Sequence, residues 1–153
     1  MISIGKKVTA FARPASGGKN WKSADAAGKK LVVYFYPKDN TTGCTKEGEA
    51  FRDLYPAFKK AGVQIVGVSP DSVASHEKFI EKFAFPFPLL ADEDRSLCAL
   101  FDVYKEKSMY GRKYMGVERS TFLIDAAGVL RQEWRKVKVP GHAEAVLAAA
   151  KAL

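Results

Sequence analysis

The chain has 153 residues, of which 47% are hydrophobic and 12% aromatic, which predicts one domain over residues 1–153 with a substantial core and excludes a disordered chain. Lys and Arg number 25 against 17 Asp and Glu, a formal net charge of +8. The basic residues are dispersed and no nucleic-acid-binding motif accompanies them. We therefore expect a basic surface on a soluble protein rather than a nucleic-acid binder.

The sequence shows no targeting or membrane segment. No apolar run approaches the ~20 residues that a membrane-spanning helix needs. Residues 1–7 lack the apolar stretch of a secretion signal. The two cysteines, Cys44 and Cys98, are far apart and form no disulfide framework, which is the usage expected in a reducing compartment. We therefore expect a cytoplasmic protein.

The first half of the chain predicts alternating strands and helices. In order, the patterns indicate a short edge strand over residues 8–11, a turn at 17–18, a central strand over 31–36, a helix from Cys44 to about Lys60, a strand over 63–68 and a helix that Asp71 or Ser72 caps and that runs to Phe83. The run at 31–36 is continuously apolar, as expected of a strand covered on both faces. Pro56 falls inside the first helix and predicts a kink there, because proline removes a backbone donor.

The second half predicts shorter elements. They are a short strand near residues 87–90, a helix that Asp92 or Asp94 caps and that ends at Phe101, a loop over 104–116, a strand over 119–124, a hairpin turn at 125–128, a returning strand over 129–134 and a closing helix over 142–152. This order of strands and helices predicts an α/β fold, with a mixed β-sheet flanked by helices on both faces.

The stretch between the central strand and the first long helix holds the residues best suited to chemistry. Pro37 ends the strand, small and polar residues follow, and Cys44 falls in the predicted first turn of the helix. A helix N-terminus leaves backbone N–H groups unpaired and carries partial positive charge, so it favours a thiolate over a thiol. The residues alone therefore predict a nucleophilic cysteine.

Pro37, Thr41 and Cys44 fit the pattern Pro-x-x-x-Thr-x-x-Cys, which resembles the active-site motif of the peroxiredoxins. The wider string Tyr-Phe-Tyr-Pro-Lys-Asp at 34–39, followed by Gly-Cys-Thr at 43–45, is similar to the peroxiredoxin Q subgroup, also called bacterioferritin comigratory protein. The resemblance extends from about residue 31 to the C-terminus. It implies a thioredoxin-like fold with peroxiredoxin-type insertions, and a thiol-dependent peroxidase acting on hydrogen peroxide and organic hydroperoxides.

The resemblance also implies roles for individual residues. The Cys44 thiolate is expected to attack the peroxide and become a sulfenic acid. The Thr41 hydroxyl is expected to face the thiolate and hydrogen-bond the peroxide, and Pro37 to shield the thiolate from water. The backbone N–H groups of Gly43 and Cys44 are candidate donors to the bound peroxide. Arg119 matches the family's distant arginine and is expected to face the thiolate and orient the peroxide.

Two of these assignments have alternatives in the sequence. Arg119 opens an apolar strand, where an unpaired charge is costly, so it could instead form a salt bridge with Glu118 or Asp125. Glu47 could pair with Arg119 and position it. Thr41 could serve only as a cap of the loop or helix.

The sequence predicts no cofactor and no metal. The two cysteines and two histidines are widely separated, without metal-ligand spacing, and no Cys-x-x-Cys or glycine-rich phosphate loop is present. His76 is expected on a polar helix face and His142 at a helix start, so neither is predicted to act as a general base.

The sequence departs from its relatives in the residues that would restore the thiol. Many relatives carry a resolving cysteine at positions that here are Glu49 or Ile80, and the only other thiol, Cys98, lies among apolar residues that favour a buried, inert thiol. We therefore predict a one-cysteine cycle, in which thioredoxin, glutaredoxin or a small thiol reduces the Cys44 sulfenic acid. The alternatives are a Cys44–Cys98 disulfide reduced by thioredoxin, and a peroxide sensor that signals to a partner. Relatives are often monomers, which favours a monomer here.

Overall fold

The computed structural model describes residues 2–153. In chain order its elements are β1 (Ala12–Ala15), β2 (Lys19–Lys22), a 3-10 helix (Ser23–Ala26), β3 (Lys30–Phe35), α1 (Thr42–Lys60), β4 (Val63–Ser69), α2 (Val73–Phe83), β5 (Leu89–Ala91), α3 (Ser96–Leu100), β6 (Tyr104–Met109), β7 (Arg112–Val117), β8 (Ser120–Ile124), β9 (Leu130–Trp134) and α4 (His142–Lys151). Seven strands form one sheet in the order β2-β1-β5-β4-β3-β8-β9. Strand β3 is parallel to β4 and antiparallel to β8, so the predicted mixed sheet is confirmed.

Strand β3 separates two hydrophobic cores. Val33 and Phe35 contact the core that also holds residues of α3, whereas Val32 and Tyr34 contact the core on the side of α1 and α4. Side chains alternate between the two faces of a strand, so one continuous apolar run fills both cores. Burial of each large apolar side chain contributes about 1.5–3 kcal/mol. The central strand thus anchors the helices on both faces, and its carboxyl end leads into the loop before α1.

Helix α1 begins at Thr42, two residues before Cys44, and runs to Lys60. Its buried side chains include Phe51 and Phe58, both 0% exposed, which face the core beneath the sheet. Lys59 and Lys60 occupy the last turn, where positive charge suits the helix dipole. The predicted helix is confirmed. It continues through Pro56, which lies inside it.

The prediction of a loop over residues 104–116 is wrong. Strands β6 and β7 form an antiparallel hairpin, which pairs Tyr104 with Val117 at its base and Met109 with Arg112 at its tip. Tyr110 and Gly111 form the two-residue turn with φ of 51° and 78°, the positive values that two-residue hairpins favour. Most residues of the hairpin are exposed on both faces, so the strands lack the alternation of apolar and polar residues that identifies a half-buried strand.

The prediction of an edge strand over residues 8–11 is also wrong. The strand lies over Ala12–Ala15, where β1 pairs with β2 and β5. Val8 and Phe11 pack against the core from irregular backbone, and the Val8 N–H donates to the carbonyl of Gly128 at 2.9 Å. Their apolar side chains reflect burial rather than strand pairing. The predicted turn between β1 and β2 is confirmed.

The starts of α2 and α3 show caps of the predicted kind. Ser72 accepts a hydrogen bond from the Ser75 N–H at 3.1 Å. The Asp92 carboxylate accepts from the N–H groups of Leu97 and Cys98 at 3.0 and 2.8 Å. Each acceptor satisfies donors that have no partner within their own helix. Within residues 2–153, no helix combines the length and apolar character needed to cross a membrane.

Candidate active site

Cys44 is the third residue of α1 and is 2% exposed. The preceding Thr41 has extended backbone, with φ of −94° and ψ of 157°, and its side chain makes no capping hydrogen bond to the helix. The first N–H groups of α1 therefore have neither an intrahelical acceptor nor a side-chain cap. The thiol lies where the partial positive charge of the helix is concentrated.

Arg119 lies against Cys44, immediately before β8. Its Nη2 donates to Cys44 Sγ at 3.2 Å, and its Nη1 donates to Glu47 Oε1 at 2.6 Å. The register of β3 and β8 explains this contact, because Phe35 pairs with Ser120 and so places Arg119 beside the point where the chain leaves β3. Arg119 therefore pairs with Glu47 rather than with Glu118 or Asp125.

Glu47 holds the guanidinium from inside the protein. Its side chain is 1% exposed, and within residues 2–153 its Oε2 has no hydrogen-bond partner. Burial raises the pKa of Glu47 to about 7, while the charge and hydrogen bond of Arg119 lower it. Burial also opposes the charge of Arg119, but the neighbouring Glu47 and Cys44 outweigh it and raise the pKa of the guanidinium. Arg119 thus stays charged while it donates to both Glu47 and Cys44.

Gly43 allows this close approach. A Cβ atom at Gly43 would lie 3.2 Å from Arg119 Nη2, tighter than almost all contacts of real side chains. The glycine therefore lets the guanidinium cross the first turn of α1. Gly43 was predicted to donate its N–H to the peroxide, and the structure shows the Arg119 guanidinium beside it.

Thr41 and Pro37 flank the same loop. The Thr41 hydroxyl donates to the carbonyl of Lys38 at 2.8 Å, and the hydrogen bonds of residues 2–153 include none between this hydroxyl and Cys44 Sγ. Its proton is thus directed away from the thiol, while its oxygen retains lone pairs that accept hydrogen bonds. Pro37 is half-buried and lines a groove that Lys107 and Val117 of the hairpin also line.

Lys107 was missed by sequence reasoning, because it lies in the segment expected to be a loop. Burial and the charge of Arg119 lower the pKa of Lys107, whereas Glu118 and Cys44 raise it. Lys107 lines the same groove as Pro37. Only the pairing of β6 with β7 brings this residue there, and no motif in the sequence marks it.

Cys98 lies on the other face of the sheet. It is 0% exposed and belongs to the core that contains Val33 and Phe35, whereas Cys44 belongs to the core that contains Tyr34. Burial, followed by the hydrogen bond and charge of Asp92, raises the pKa of the Cys98 thiol far above its usual range. The structure does not bring the two thiols together.

The expectation that His76 lies on a polar helix face is wrong. His76 is 0% exposed, with Nδ1 2.7 Å from Asp39 Oδ2 and Nε2 2.8 Å from the Leu90 carbonyl. Its spacing of three residues from the buried Phe79 was the signal in the sequence that could have placed it on the inner face of α2. Polar partners on other elements, which the spacing cannot show, make this burial possible.

His142 begins α4, as predicted, and is 7% exposed. Its Nε2 lies 2.8 Å from Thr121 Oγ1. Burial and the charge of Arg119 lower the pKa of His142 to about 4, so the ring is neutral near pH 7. Within residues 2–153, no group of three or more His, Cys, Asp or Glu side chains is arranged to hold a metal ion.

A sequence model of the AhpC/TSA family matches residues 4–133. The chain belongs to the AhpC/TSA family. It is 58% identical over 137 residues to Peroxiredoxin Bcp of Xanthomonas campestris, covering 90% of this chain and 86% of that protein. It is 50% identical over 141 residues to Peroxiredoxin Bcp of Bacillus subtilis, covering 92% of this chain and 90% of that protein. The solved structure of X. campestris Peroxiredoxin Q superposes with a TM-score of 0.89 at 56% identity, covering 93% of this chain and 90% of that chain.

These similarities confirm the peroxiredoxin Q/Bcp subgroup and the thioredoxin-like fold. This peroxiredoxin is a thiol-dependent peroxidase, an antioxidant enzyme whose substrates are a peroxide and a thiol reductant. A solved structure of the X. campestris bacterioferritin comigratory protein, with 55% identity to this chain, comes from a study of alkyl peroxide reduction with a trapped intermediate/ligand complex.

Proposed function

We propose that Cys44 is the reacting thiol of this peroxidase. The observation that carries the proposal is the 3.2 Å hydrogen bond from Arg119 Nη2 to Cys44 Sγ at the start of α1. A guanidinium and the N-terminus of a helix both favour negative charge on the sulfur. In the chemical step the thiolate attacks one peroxide oxygen and the O–O bond breaks. The sulfur is oxidised to a sulfenic acid, and the alkoxide or hydroxide that leaves takes up a proton.

The other predicted residues support this step. The free N–H groups of Gly43 and Cys44 and the Arg119 guanidinium are donors for an oxygen that becomes negative as the O–O bond breaks. The Thr41 hydroxyl directs its proton to the Lys38 carbonyl, so its oxygen is an acceptor for the proton of the peroxide. Pro37 has no N–H to bind water and covers one side of the loop. Both hydrogen peroxide and organic hydroperoxides carry the atoms that this arrangement engages.

We infer a one-cysteine cycle for the return to the thiol. Cys98 lies in the core on the opposite face of the sheet from Cys44, so a disulfide between them requires a local rearrangement of the helices that carry them. Burial and Asp92 also keep Cys98 a protonated thiol, which is a poor nucleophile. Ile80, at the position where many relatives carry a resolving cysteine, has no thiol but packs against the core that contains Cys44.

An external thiol then completes the cycle in two steps. A first thiolate attacks the sulfenic acid and releases water, which leaves a mixed disulfide on Cys44. A second thiolate attacks this disulfide and restores Cys44. Thioredoxin, glutaredoxin and small thiols all supply this chemistry. We further infer a monomer with one domain over residues 1–153 that works in the cytoplasm, where such thiols are kept reduced.

Mass spectrometry after one equivalent of hydrogen peroxide tests the cycle. Wild type and Cys98→Ser should both gain one oxygen atom on Cys44 and form no internal disulfide. Ile80→Cys is the matched positive control, because it places a second thiol on the same face of the sheet as Cys44. This variant should lose two hydrogen atoms as a disulfide forms. An internal disulfide in the wild type that disappears in Cys98→Ser would overturn the one-cysteine cycle.

A further inference from the structure

A buried polar cluster joins the loop between β3 and α1 to α2 and the sheet. It takes no part in the chemical step described above. The carboxylate of Asp39, whose side chain is 4% exposed, is its centre. It accepts hydrogen bonds from Tyr36 Oη at 2.6 Å and Ser75 Oγ at 2.8 Å, and His76 Nδ1 lies 2.7 Å from its Oδ2. Three polar side chains from the end of the central strand and from α2 thus converge on one residue of the loop.

His76 faces hydrogen-bond acceptors on both sides of its ring. Nδ1 faces the Asp39 carboxylate, and Nε2 lies 2.8 Å from the carbonyl of Leu90 in β5. A carbonyl oxygen only accepts, so Nε2 carries a proton, and one further proton joins Nδ1 to Asp39 Oδ2. The geometry therefore describes a buried, hydrogen-bonded pair of His76 and Asp39. This pair connects the loop to α2 and to the sheet.

The backbone of the loop is fixed at the same place. The Asp39 N–H donates to Asp71 Oδ2 at 2.8 Å, and Ser69 Oγ donates to the same oxygen at 2.6 Å. The next residue, Asn40, has φ of 59°, a left-handed conformation that costs energy in any residue except glycine. Thr41 follows directly. A strained residue thus separates the anchored Asp39 from the hydroxyl and helix start that face the peroxide.

We propose that the His76–Asp39 pair is a clamp that holds residues 37–41 in the conformation that binds peroxide. Neither side chain is assigned a contact with the reacting atoms, so both are positioning residues. The clamp fixes the entry of the chain into α1 and thereby the direction of the free N–H groups at Cys44. The proposal rests on Cys44 as the reacting thiol.

A purely structural role does not require a polar pair here. Helix α2 already has a Ser72 cap and buries Phe79 in the core. A buried polar pair is often no more stabilising than apolar side chains of the same volume. Its hydrogen bonds do fix direction, because each one requires one orientation of the carboxyl group and the ring. That property suits a loop whose geometry controls a reaction.

The test compares two reactions of Cys44 in wild type and His76→Gln, at a temperature where both are fully folded. Glutamine keeps a polar side chain, but it lacks the ring whose two nitrogens contact Asp39 and the Leu90 carbonyl at the same time. The second-order rate constant with hydrogen peroxide should fall by about 10- to 100-fold, because small displacements of positioning groups have effects of this size. The rate of alkylation by iodoacetamide should stay the same or rise, because alkylation does not use the peroxide site and a looser loop exposes the sulfur.

Asp39→Asn keeps the shape of Asp39 and removes its charge, and it serves if His76→Gln fails to fold. It should likewise slow the reaction with peroxide and leave alkylation unchanged or faster. The double variant should lose little more than either single variant, because both substitutions break one interaction. Ser75→Ala is the matched control, because it removes a neutral hydrogen bond to the same carboxylate. Lys78→Gln changes an exposed residue of the same helix and should leave both rates unchanged.

The clamp is overturned if His76→Gln and Asp39→Asn lower the melting temperature but leave the peroxide rate constant unchanged. It is also overturned if peroxide reduction and alkylation slow by the same factor, which would indicate an effect on the thiolate. Wild-type protein that reacts with iodoacetamide but not with peroxide would instead refute the proposed role of Cys44. The failure of the clamp and the failure of the proposed function are therefore distinguishable.

Discussion

The two cysteines occupy the same helical position in different surroundings. Cys44 is the third residue of α1 and Cys98 is the third residue of α3, and their exposures are 2% and 0%. Arg119 donates to the sulfur of Cys44, whereas the carboxylate of Asp92 lies beside Cys98 and, with burial, raises its pKa. The two thiols therefore share a helix start and differ in the sign of the nearest full charge, which exceeds the partial charge of the helix.

The two helix starts also differ in whether their N–H groups are free. Asp92 accepts from the N–H groups of Leu97 and Cys98, so these donors of α3 are occupied by the protein itself. At α1 the Thr41 hydroxyl donates to the Lys38 carbonyl, and it does not cap the helix. The donors at Cys44 thus remain available to an oxygen of the substrate. An uncapped helix end is less stable but keeps an anion site open.

Cys44→Ser should have the largest effect on activity. A serine hydroxyl stays protonated and is a far weaker nucleophile, so peroxidase activity should fall by about 10⁴-fold or more. Peroxide consumption with an excess of dithiothreitol measures the loss. Residual turnover that Cys98→Ser then removes would show that Cys98 also reacts.

Arg119→Lys tests the charge that distinguishes Cys44. Lysine keeps the positive charge but lacks the fork that reaches Cys44 and Glu47 together. The second-order rate constant with peroxide should fall by about 10²- to 10³-fold, the usual effect of losing one donor to a developing charge. Stopped-flow measurement of Cys44 oxidation reports it. The control is Arg131→Lys, at an exposed salt bridge with Asp125, and an equal loss there would contradict the assignment.

Glu47→Gln tests the pH dependence of stability at the partner of Arg119. Burial raises the pKa of Glu47 from its ordinary value of 4.5 to about 7, so the folded protein holds this proton more tightly than the unfolded chain does. The stabilisation is complete below pH 4.5 and is lost as pH rises to about 7, a decrease of roughly 3 kcal/mol at 1.36 kcal/mol per pKa unit. Glutamine does not titrate, so this part of the decrease should vanish.

Urea unfolding at several pH values between 4 and 8 measures that change. Glu49→Gln is the control, because Glu49 lies on the same helix with its side chain 38% exposed. Its stability profile should follow that of the wild type. If the free energy of unfolding changes with pH equally in the wild type and in Glu47→Gln, Glu47 does not titrate in this pH range.

Cys98→Ala should have the smallest effect on activity. Loss of the buried sulfur leaves a small cavity and should lower the free energy of unfolding by about 1–2 kcal/mol. The rate constant with peroxide should be unchanged, because the sheet separates this residue from Cys44. Thermal unfolding and peroxide consumption by the same protein sample measure both quantities. A slower reaction with peroxide would assign Cys98 a part in the cycle.

The sequence predicted what depends on local pattern. The strand before Pro37 and the helix that begins just before Cys44 follow from an apolar run, a proline and helical spacing. The position of Arg119 was expected only by resemblance, because the register of β3 and β8 that places it depends on pairing between distant segments. Glu47 appeared as one possible partner among three, since spacing cannot show which carboxylate is buried beside it.

Elements whose character depends on distant partners were not predicted. His76 follows the buried spacing of α2, but its burial requires Asp39 and the Leu90 carbonyl, which lie on other elements. The β6–β7 hairpin has few buried residues, so its pattern resembles that of a loop. For His76, hydrogen bonds to remote parts of the chain override the preference of the local sequence, whereas the hairpin lacks the buried face that would mark its strands.

The β6–β7 hairpin has a further consequence for the dynamics of the protein. Within residues 2–153 its strands pair only with each other. Val117 at its base is 2% exposed, while Tyr110 at its tip is 99% exposed. Such a ribbon opens without disturbing the larger sheet, so its amide hydrogens should exchange with solvent through local fluctuations, well before those of β3. Because Lys107 belongs to this ribbon, one wall of the groove beside Pro37 opens at a lower free energy than the central sheet does.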